Sequence, residues 1–269
     1  MTNPQVNPSM TGQAIRRIIL EQSKRANVGH IGCCLSIADL ISSLYGRILN
    51  IPAHDDPQRD RFILGKGQAA LALYSALHLK GLISKEELNT FCGNESLLGV
   101  HPEHRQRGID FSTGSLGQGL SMAAGAALAA RLQGSSRRIF ALLSDAECNE
   151  GSVWEAAMFS AHHKLSNLIA FIDLNGQQAF GYTKDVMDLS PLRARWEAFG
   201  WDAHDIDGHD GDAIVKAVKG LKGEKPHILV ARTTFGKGVS FMENKIKWHY
   251  WPMSDEEYRR ALAEIEIPS

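Results

Sequence analysis

The chain has almost no charge bias, since 29 Lys and Arg against 30 Asp and Glu leave a formal net charge of −1 over 269 residues. Without a basic field, nucleic acid and anionic membrane surfaces are poor partners. Long apolar runs are also missing: the longest stretch of small apolar residues, Met122 to Ala130, falls far short of the roughly 20 needed to cross a bilayer. Residues 1–10 are polar and contain Pro4 and Pro8, with neither a basic start nor an apolar stretch before a cleavage site, so the expected location is the cytoplasm. Cysteine is scarce. Cys33 and Cys34 are adjacent while Cys92 and Cys148 stand alone, which leaves no CxxC pair and no disulfide framework. The 11 histidines form no HExxH or HxxxH pattern, so a zinc-type site is excluded and any metal must be held by oxygen. There is no internal repeat, low-complexity tract or Pro/Ser-rich linker, and a single domain over 1–269 is the economical reading.

What is present is a 43% hydrophobic composition arranged in short strand-length apolar runs that alternate with longer stretches of helical period. That alternation predicts an α/β fold: a mostly parallel central sheet flanked by crossover helices. Strands are expected at 61–64, 138–143, 168–173, 201–206 and 227–232, making one sheet of five or six strands. Helices are expected near 12–26, 36–49, 68–80, 116–133, 151–163 and 212–222, with Ser84 to Glu87 as a capping box for another and a last helix started by Ser254 and Asp255.

Open parallel sheets bind ligands at the carboxyl ends of their strands. Two such ends carry oxygen ligands here. One strand runs into Ser144-Asp145-Ala146-Glu147-Cys148-Asn149-Glu150-Gly151, and another into Asp173-Leu174-Asn175-Gly176-Gln177. A hard cation such as Mg²⁺ takes one or two protein oxygens together with phosphate oxygens and water. Asp145 and Asn175 suit that task; equally, Asp145 and Asn149 suit capping of the following helix, and Asn175-Gly176 suits an ordinary turn.

Taken together, in order and 30 residues apart, Asp145 and Asn175 resemble the diphosphate–metal motif of thiamine-diphosphate enzymes, in which GDG is followed after a comparable interval by Asn. Glu150-Gly151, Val153 through Phe159, His163-Lys164-Leu165 and Asn167 through Ala170 narrow the resemblance to the transketolase family. Gly29-His30, Gly99-Val100-His101-Pro102-Glu103, Thr113-Gly114-Ser115-Leu116-Gly117-Gln118-Gly119 and Lys247-Trp248-His249 follow in family order, so that it covers nearly the whole chain. The resemblance implies a thiamine-diphosphate-binding fold, of the diphosphate-binding module, that uses thiamine diphosphate and Mg²⁺, or another divalent cation such as Ca²⁺ or Mn²⁺. It implies metal binding by the side chains of Asp145 and Asn175 and the backbone carbonyl of Gln177. Backbone N–H groups at Ser144, Asp145 and Ala146 would meet the diphosphate, with Gly114 and Leu116 beside the thiazolium ring. His30, His101 and His249 would line the cleft, bind substrate hydroxyls and move protons, His249 also reaching the diphosphate. Glu150 would lie in the cofactor's neighbourhood, and it and Glu155 towards a partner protomer, although acidic residues at a helix start need no such role. His78, His104, His162, His163, His204, His209 and His227 are expected outside the site.

The sequence departs from the family in three places. Ser144 and Ala146 replace the two glycines of GDG, which is tolerable if the backbone there has negative φ and strained otherwise. Gln68 stands where transketolases carry a histidine that contacts the diphosphate; an amide can donate a hydrogen bond but cannot titrate. Length is the third, since single-chain transketolases are well over twice as long and hold the cofactor between this domain and a pyrimidine-binding one. The resemblance therefore implies one half of a split enzyme that moves a two-carbon ketol unit from a ketose, usually phosphorylated, to an aldose. A separate C-terminal subunit would carry the pyrimidine-binding domain in an α2β2 assembly. Alternatives are a split 2-oxoacid dehydrogenase E1-like or deoxyxylulose-phosphate synthase-like enzyme, or a non-catalytic regulatory or scaffold protein.

Overall fold

The computed structural model describes residues 9–266. Their strands, in chain order, are β1 (Arg61–Leu64), β2 (Ile139–Ser144), β3 (Leu168–Leu174), β4 (Gln177–Gln178), β5 (Gly181–Tyr182), β6 (Asp202–Asp207) and β7 (His227–Arg232). Five of these form one all-parallel sheet in the order β1-β2-β3-β7-β6. The expected α/β architecture is what the chain adopts. β2 and β6 each begin one residue later than the apolar runs alone predict, and β3 extends one residue further, to Leu174. β2 and β3 are buried almost throughout because helices cover both faces, so they read as continuous apolar runs rather than alternating ones. Two apolar clusters result. The larger lies between the sheet and helices Gly12–Ala26, Ala38–Ser43 and Ala70–Leu79; the smaller lies under Gly119–Leu132, Gly151–His162 and Leu192–Ala198. None of the helices among the described residues is long and apolar enough to cross a membrane.

The predicted capping box is formed: Ser84 Oγ accepts from Glu87 N while Glu87 Oε2 accepts from Ser84 N. Ser254 and Glu257 repeat the arrangement at the head of helix Asp255–Glu266, where Ser254 was expected to start a helix. The segment expected as one helix over 36–49 is different: it begins earlier, as Ile31–Ser36, breaks at Ile37 and resumes as Ala38–Ser43 before a wide turn over Leu44–Ile48. The break falls where the Ser36 hydroxyl turns inward to the Cys33 carbonyl and the Asp173 carboxylate. β4 and β5 pair as a short antiparallel ribbon, followed by the helical turn Thr183–Val186; it folds over the end of β3 and has no counterpart in the sequence pattern.

Helix Gly119–Leu132 sits so close to the loop after β1 that a β-carbon on Gly119 would stand 2.5 Å from Gly65 Cα. Backbone cannot yield there as a flexible side chain would. Gly119→Ala is expected to destabilise the fold by about 1–3 kcal/mol, read as a lower urea midpoint with an unchanged m-value.

Candidate active site

The carboxyl ends of β1, β2, β3 and β7 bring their loops to one edge of the sheet, where they meet His30 and His249 around a cleft of about 300 Å³. Its wall includes His30, His101, His249, Gln68, Leu116, Ser144, Ala146, Glu150, Asn175 and Gln177. So all but two of the expected site residues share one cavity. Asp145 borders a neighbouring cavity against Thr183 and Ser190. Gly114 is absent from the wall, but its carbonyl lies 2.7 Å from where a β-carbon on Gly67 would stand, so Gly67 must be glycine for the two loops to touch. Glu155 is exposed and does not border the cleft, and neither do the seven histidines expected elsewhere.

The two candidate metal ligands are fixed by backbone donors. Asp145 Oδ1 accepts from Ala146 N at 2.9 Å, and Oδ2 accepts from Gly176 N at 3.0 Å and Thr183 Oγ1 at 2.9 Å. Asn175 donates through Nδ2 to Asp173 Oδ2 at 2.7 Å and accepts at Oδ1 from Gln177 N at 2.9 Å. Ser144 and Ala146 both have negative φ, so the side chains that replace the family's glycines sit in ordinary backbone and carry no strain. Burial, with the Asp173 carboxylate nearby, pushes the Asp145 carboxyl up to about 6. A carboxylate so desolvated favours a cation beside it. Among the described residues no three His, Cys, Asp or Glu cluster as a metal site, so a cation held here needs amide, carbonyl and non-protein oxygens in addition to Asp145, as a hard divalent ion does.

Behind these ligands lies a buried polar network that the sequence did not reveal. Asp173 is wholly buried and accepts from Ser36 Oγ at 2.8 Å, from Asn175, from Thr233 Oγ1 and from Lys66 Nζ, itself only 1% exposed. Burial pulls the Lys66 ammonium towards a lower pKa, but the attraction and hydrogen bond of Asp173, with the neighbouring Cys33 and Cys34, together outweigh it and the net shift is upward. Glu147 is a second missed group: Oε1 accepts from Gly117 N at 2.9 Å and ties the 113–119 loop to the end of β2, while burial pushes its carboxyl up to about 7. The only visible hints were a lysine held between Gly65 and Gly67 and an aspartate ending an otherwise apolar strand.

The histidines are arranged around the opening. His30 has left-handed backbone (φ 59°) and donates its N–H to the His249 carbonyl at 3.2 Å; the two rings meet edge to face at 5.3 Å, and His249 stacks on Phe235 at 6.1 Å. The Nδ1 atoms of both rings are buried with no partner among the described residues, as are Gln177 Oε1, Gln178 Nε2 and Asn149 Oδ1 along the same wall. Unpaired buried polar atoms in one cavity mark a site built for a polar ligand. Contact with the Cys33 thiol raises the pKa of His30, whereas burial lowers those of His101 and His249. Neighbouring imidazoles are thereby biased towards different protonation states, which suits proton transfer.

A family model described as the transketolase thiamine diphosphate binding domain matches residues 9–265. The chain belongs to the transketolase family. Among transketolase relatives it is 41% identical to the 6-deoxy-6-sulfo-D-fructose transketolase subunit SqwG of a Clostridium species, over 99% of this chain and 98% of that one. It is 39% identical to an apulose-4-phosphate transketolase subunit of Phocaeicola vulgatus, over 93% and 90%. Against the human transketolase it is 35% identical over 95% of its own length but only 41% of that protein. The solved transketolase of Campylobacter jejuni superposes with a TM-score of 0.90 at 32% identity, covering 98% of this chain and 43% of that one. This transketolase chain thus spans nearly the whole of relatives named as subunits, and less than half of the human and Campylobacter transketolases.

Proposed function

We propose that this chain is the diphosphate- and metal-binding subunit of a two-chain transketolase, transferring a two-carbon ketol unit from a ketose or ketose phosphate to an aldose. The observation that carries it is the meeting of Asp145 and Asn175, both backbone-anchored, with His30, His101 and His249 at one edge of the sheet. The residues fit the cofactor: Asp145, Asn175 and the Gln177 carbonyl would hold a divalent metal on the diphosphate. The 144–146 backbone and the N-terminus of helix Gly151–His162 supply N–H donors for the phosphates. Thiamine diphosphate, when bound, supplies the electron sink for breaking and making the C–C bond. The chain's own work is to bind, orient and move protons. His30 and His249 present unpaired ring nitrogens to substrate hydroxyls, and Gln68 offers an amide hydrogen bond without a titrating proton.

A separate C-terminal subunit would supply the pyrimidine-binding domain, two copies of each forming the α2β2 assembly, in the cytoplasm. Isothermal titration with thiamine diphosphate and Mg²⁺, with and without that subunit, tests this reading. Expected is metal-dependent binding that tightens when the partner is present; no binding under either condition overturns it. The scaffold alternative has little support, since a binding-only protein has no use for three cleft histidines and two anchored metal ligands.

A further inference from the structure

The end of the sheet opposite the candidate active site holds another cavity, of about 550 Å³. It lies among the segments that lead into the amino ends of β1 and β2, the wide turn Leu44–Ile48 and the last turn of helix Gly211–Gly220. The six residues of β2, about 20 Å at the usual rise per residue, separate it from Ser144 in the cleft. Nothing in the chemistry proposed for the cleft uses it. Its wall carries four cationic side chains, Arg47, Arg137, Arg138 and Lys219, against one carboxylate, Asp60, although the chain as a whole has a formal net charge of −1.

That one carboxylate is already engaged. Asp60 is buried, and its oxygens accept from Arg138 Nη2 at 2.6 Å, Arg138 N at 3.0 Å and Asn50 N at 2.9 Å. Arg47 meets Asp212 at 2.7 Å, but that carboxylate stands outside the cavity and is 86% exposed, so the pairing is weak. Arg137 has no carboxylate partner among the described residues; two neutral acceptors, the Pro57 carbonyl at 3.2 Å and Gln133 Oε1 at 2.6 Å, hold its guanidinium in place. Lys219 Nζ has neither an ion pair nor a hydrogen bond among the described residues. Like charges lining one cavity repel one another and favour an anion between them.

We propose that this cavity binds a phosphomonoester of sugar size. Guanidinium groups match phosphate oxygens through paired N–H donors, and the unpaired Lys219 ammonium adds a point charge. The volume falls within the roughly 300–1,000 Å³ of small-molecule pockets, more than a bare phosphate fills. Ile48 and Val218, both buried, offer apolar wall to a carbon chain, and the side chains of Asn50 and Ser136 in the same wall offer polar groups to its hydroxyls. Binding here needs neither the cleft nor a partner subunit.

Titration calorimetry of the full chain, without divalent metal or thiamine diphosphate, tests this with glucitol 6-phosphate, glucitol and inorganic phosphate as probes. Glucitol 6-phosphate has no carbonyl group, so it cannot serve as ketol donor or acceptor in the cleft. It is expected to bind at least about 10-fold tighter than inorganic phosphate because part of its carbon chain is buried, and glucitol is expected not to bind. Arg137→Gln with Lys219→Gln should weaken glucitol 6-phosphate on the order of 100-fold, with the melting temperature unchanged. Lys222→Gln with Lys225→Gln removes the same charge from exposed positions that do not border the cavity, and should weaken it less than about threefold. If the first pair of substitutions changes nothing, the phosphate sits elsewhere; if both pairs weaken binding alike, only the general field of the surface is at work. Either result overturns the site, as does the absence of binding by either anion. Inorganic phosphate bound as tightly as glucitol 6-phosphate overturns the ligand class. In each of these cases the transketolase reading of the cleft stands.

Discussion

Replacing Lys66 by methionine is expected to cost the fold about 3–5 kcal/mol, the range for breaking a buried ion pair from one side. The loss comes less from the missing attraction than from what remains. Asp173 is 0% exposed and would keep its charge in the interior with three neutral donors, Ser36, Asn175 and Thr233, and no cation. Water cannot reach it to compensate. For a domain of this size, about 4 kcal/mol lowers the melting temperature by roughly 10 °C, which differential scanning calorimetry resolves easily. Removing both charges together, as Lys66→Met with Asp173→Asn, should recover most of the loss, because a neutral amide can still accept from neighbouring donors without a buried uncompensated charge. If the single and double variants melt alike, the pair contributes through packing rather than charge.

That pair also marks where sequence reading stopped. The sheet was legible because a parallel strand covered on both faces has to be apolar nearly throughout, and β1, β2, β3 and β7 each left such a run, whereas the edge strand β6, with three aspartates and only Ala203 buried, left a weaker one; Ser84 and Ser254 marked helix starts because their partners lie three residues on. Asp145 and Asn175 were legible because each follows a strand directly, so strand and ligand come as one local pattern. The Lys66–Asp173 contact joins residues 107 apart in sequence, and only the register of β1 beside β2 and β2 beside β3 brings them together. The break at Ile37 has the same origin, since the group that turns Ser36 inward is the carboxylate of Asp173. The ribbon at 177–182 was invisible for another reason: β strands of two residues have no periodicity to read. The substitutions at Ser144 and Ala146 were visible but undecidable, since whether they strain the loop depends on φ, and φ there is ordinary.

Replacing Asp145 by alanine is expected to weaken metal-dependent binding of thiamine diphosphate by more than about 100-fold, beyond the 10- to 100-fold typical of groups that only orient a metal ligand. Titration calorimetry and Mn²⁺ binding measured without substrate would show it. Thiamine diphosphate binding unaffected by the substitution would mean that the metal sits elsewhere. The same change should hardly disturb the empty fold, because two effects oppose: the carboxylate anchors Gly176 and Thr183, yet it is desolvated beside Asp173 and its carboxyl is pushed up to about 6. A residue that serves stability alone would not be left in that position. Thr183→Val separates anchoring from ligation. It removes one donor 2.9 Å from Asp145 Oδ2 while leaving the carboxylate in place, so its expected cost is the smaller, orienting one, about 10- to 100-fold in metal affinity. The order expected is parent, then Thr183→Val, then Asp145→Ala. If Thr183→Val weakened the metal as much as Asp145→Ala does, the threonine hydroxyl itself would have to count as a ligand.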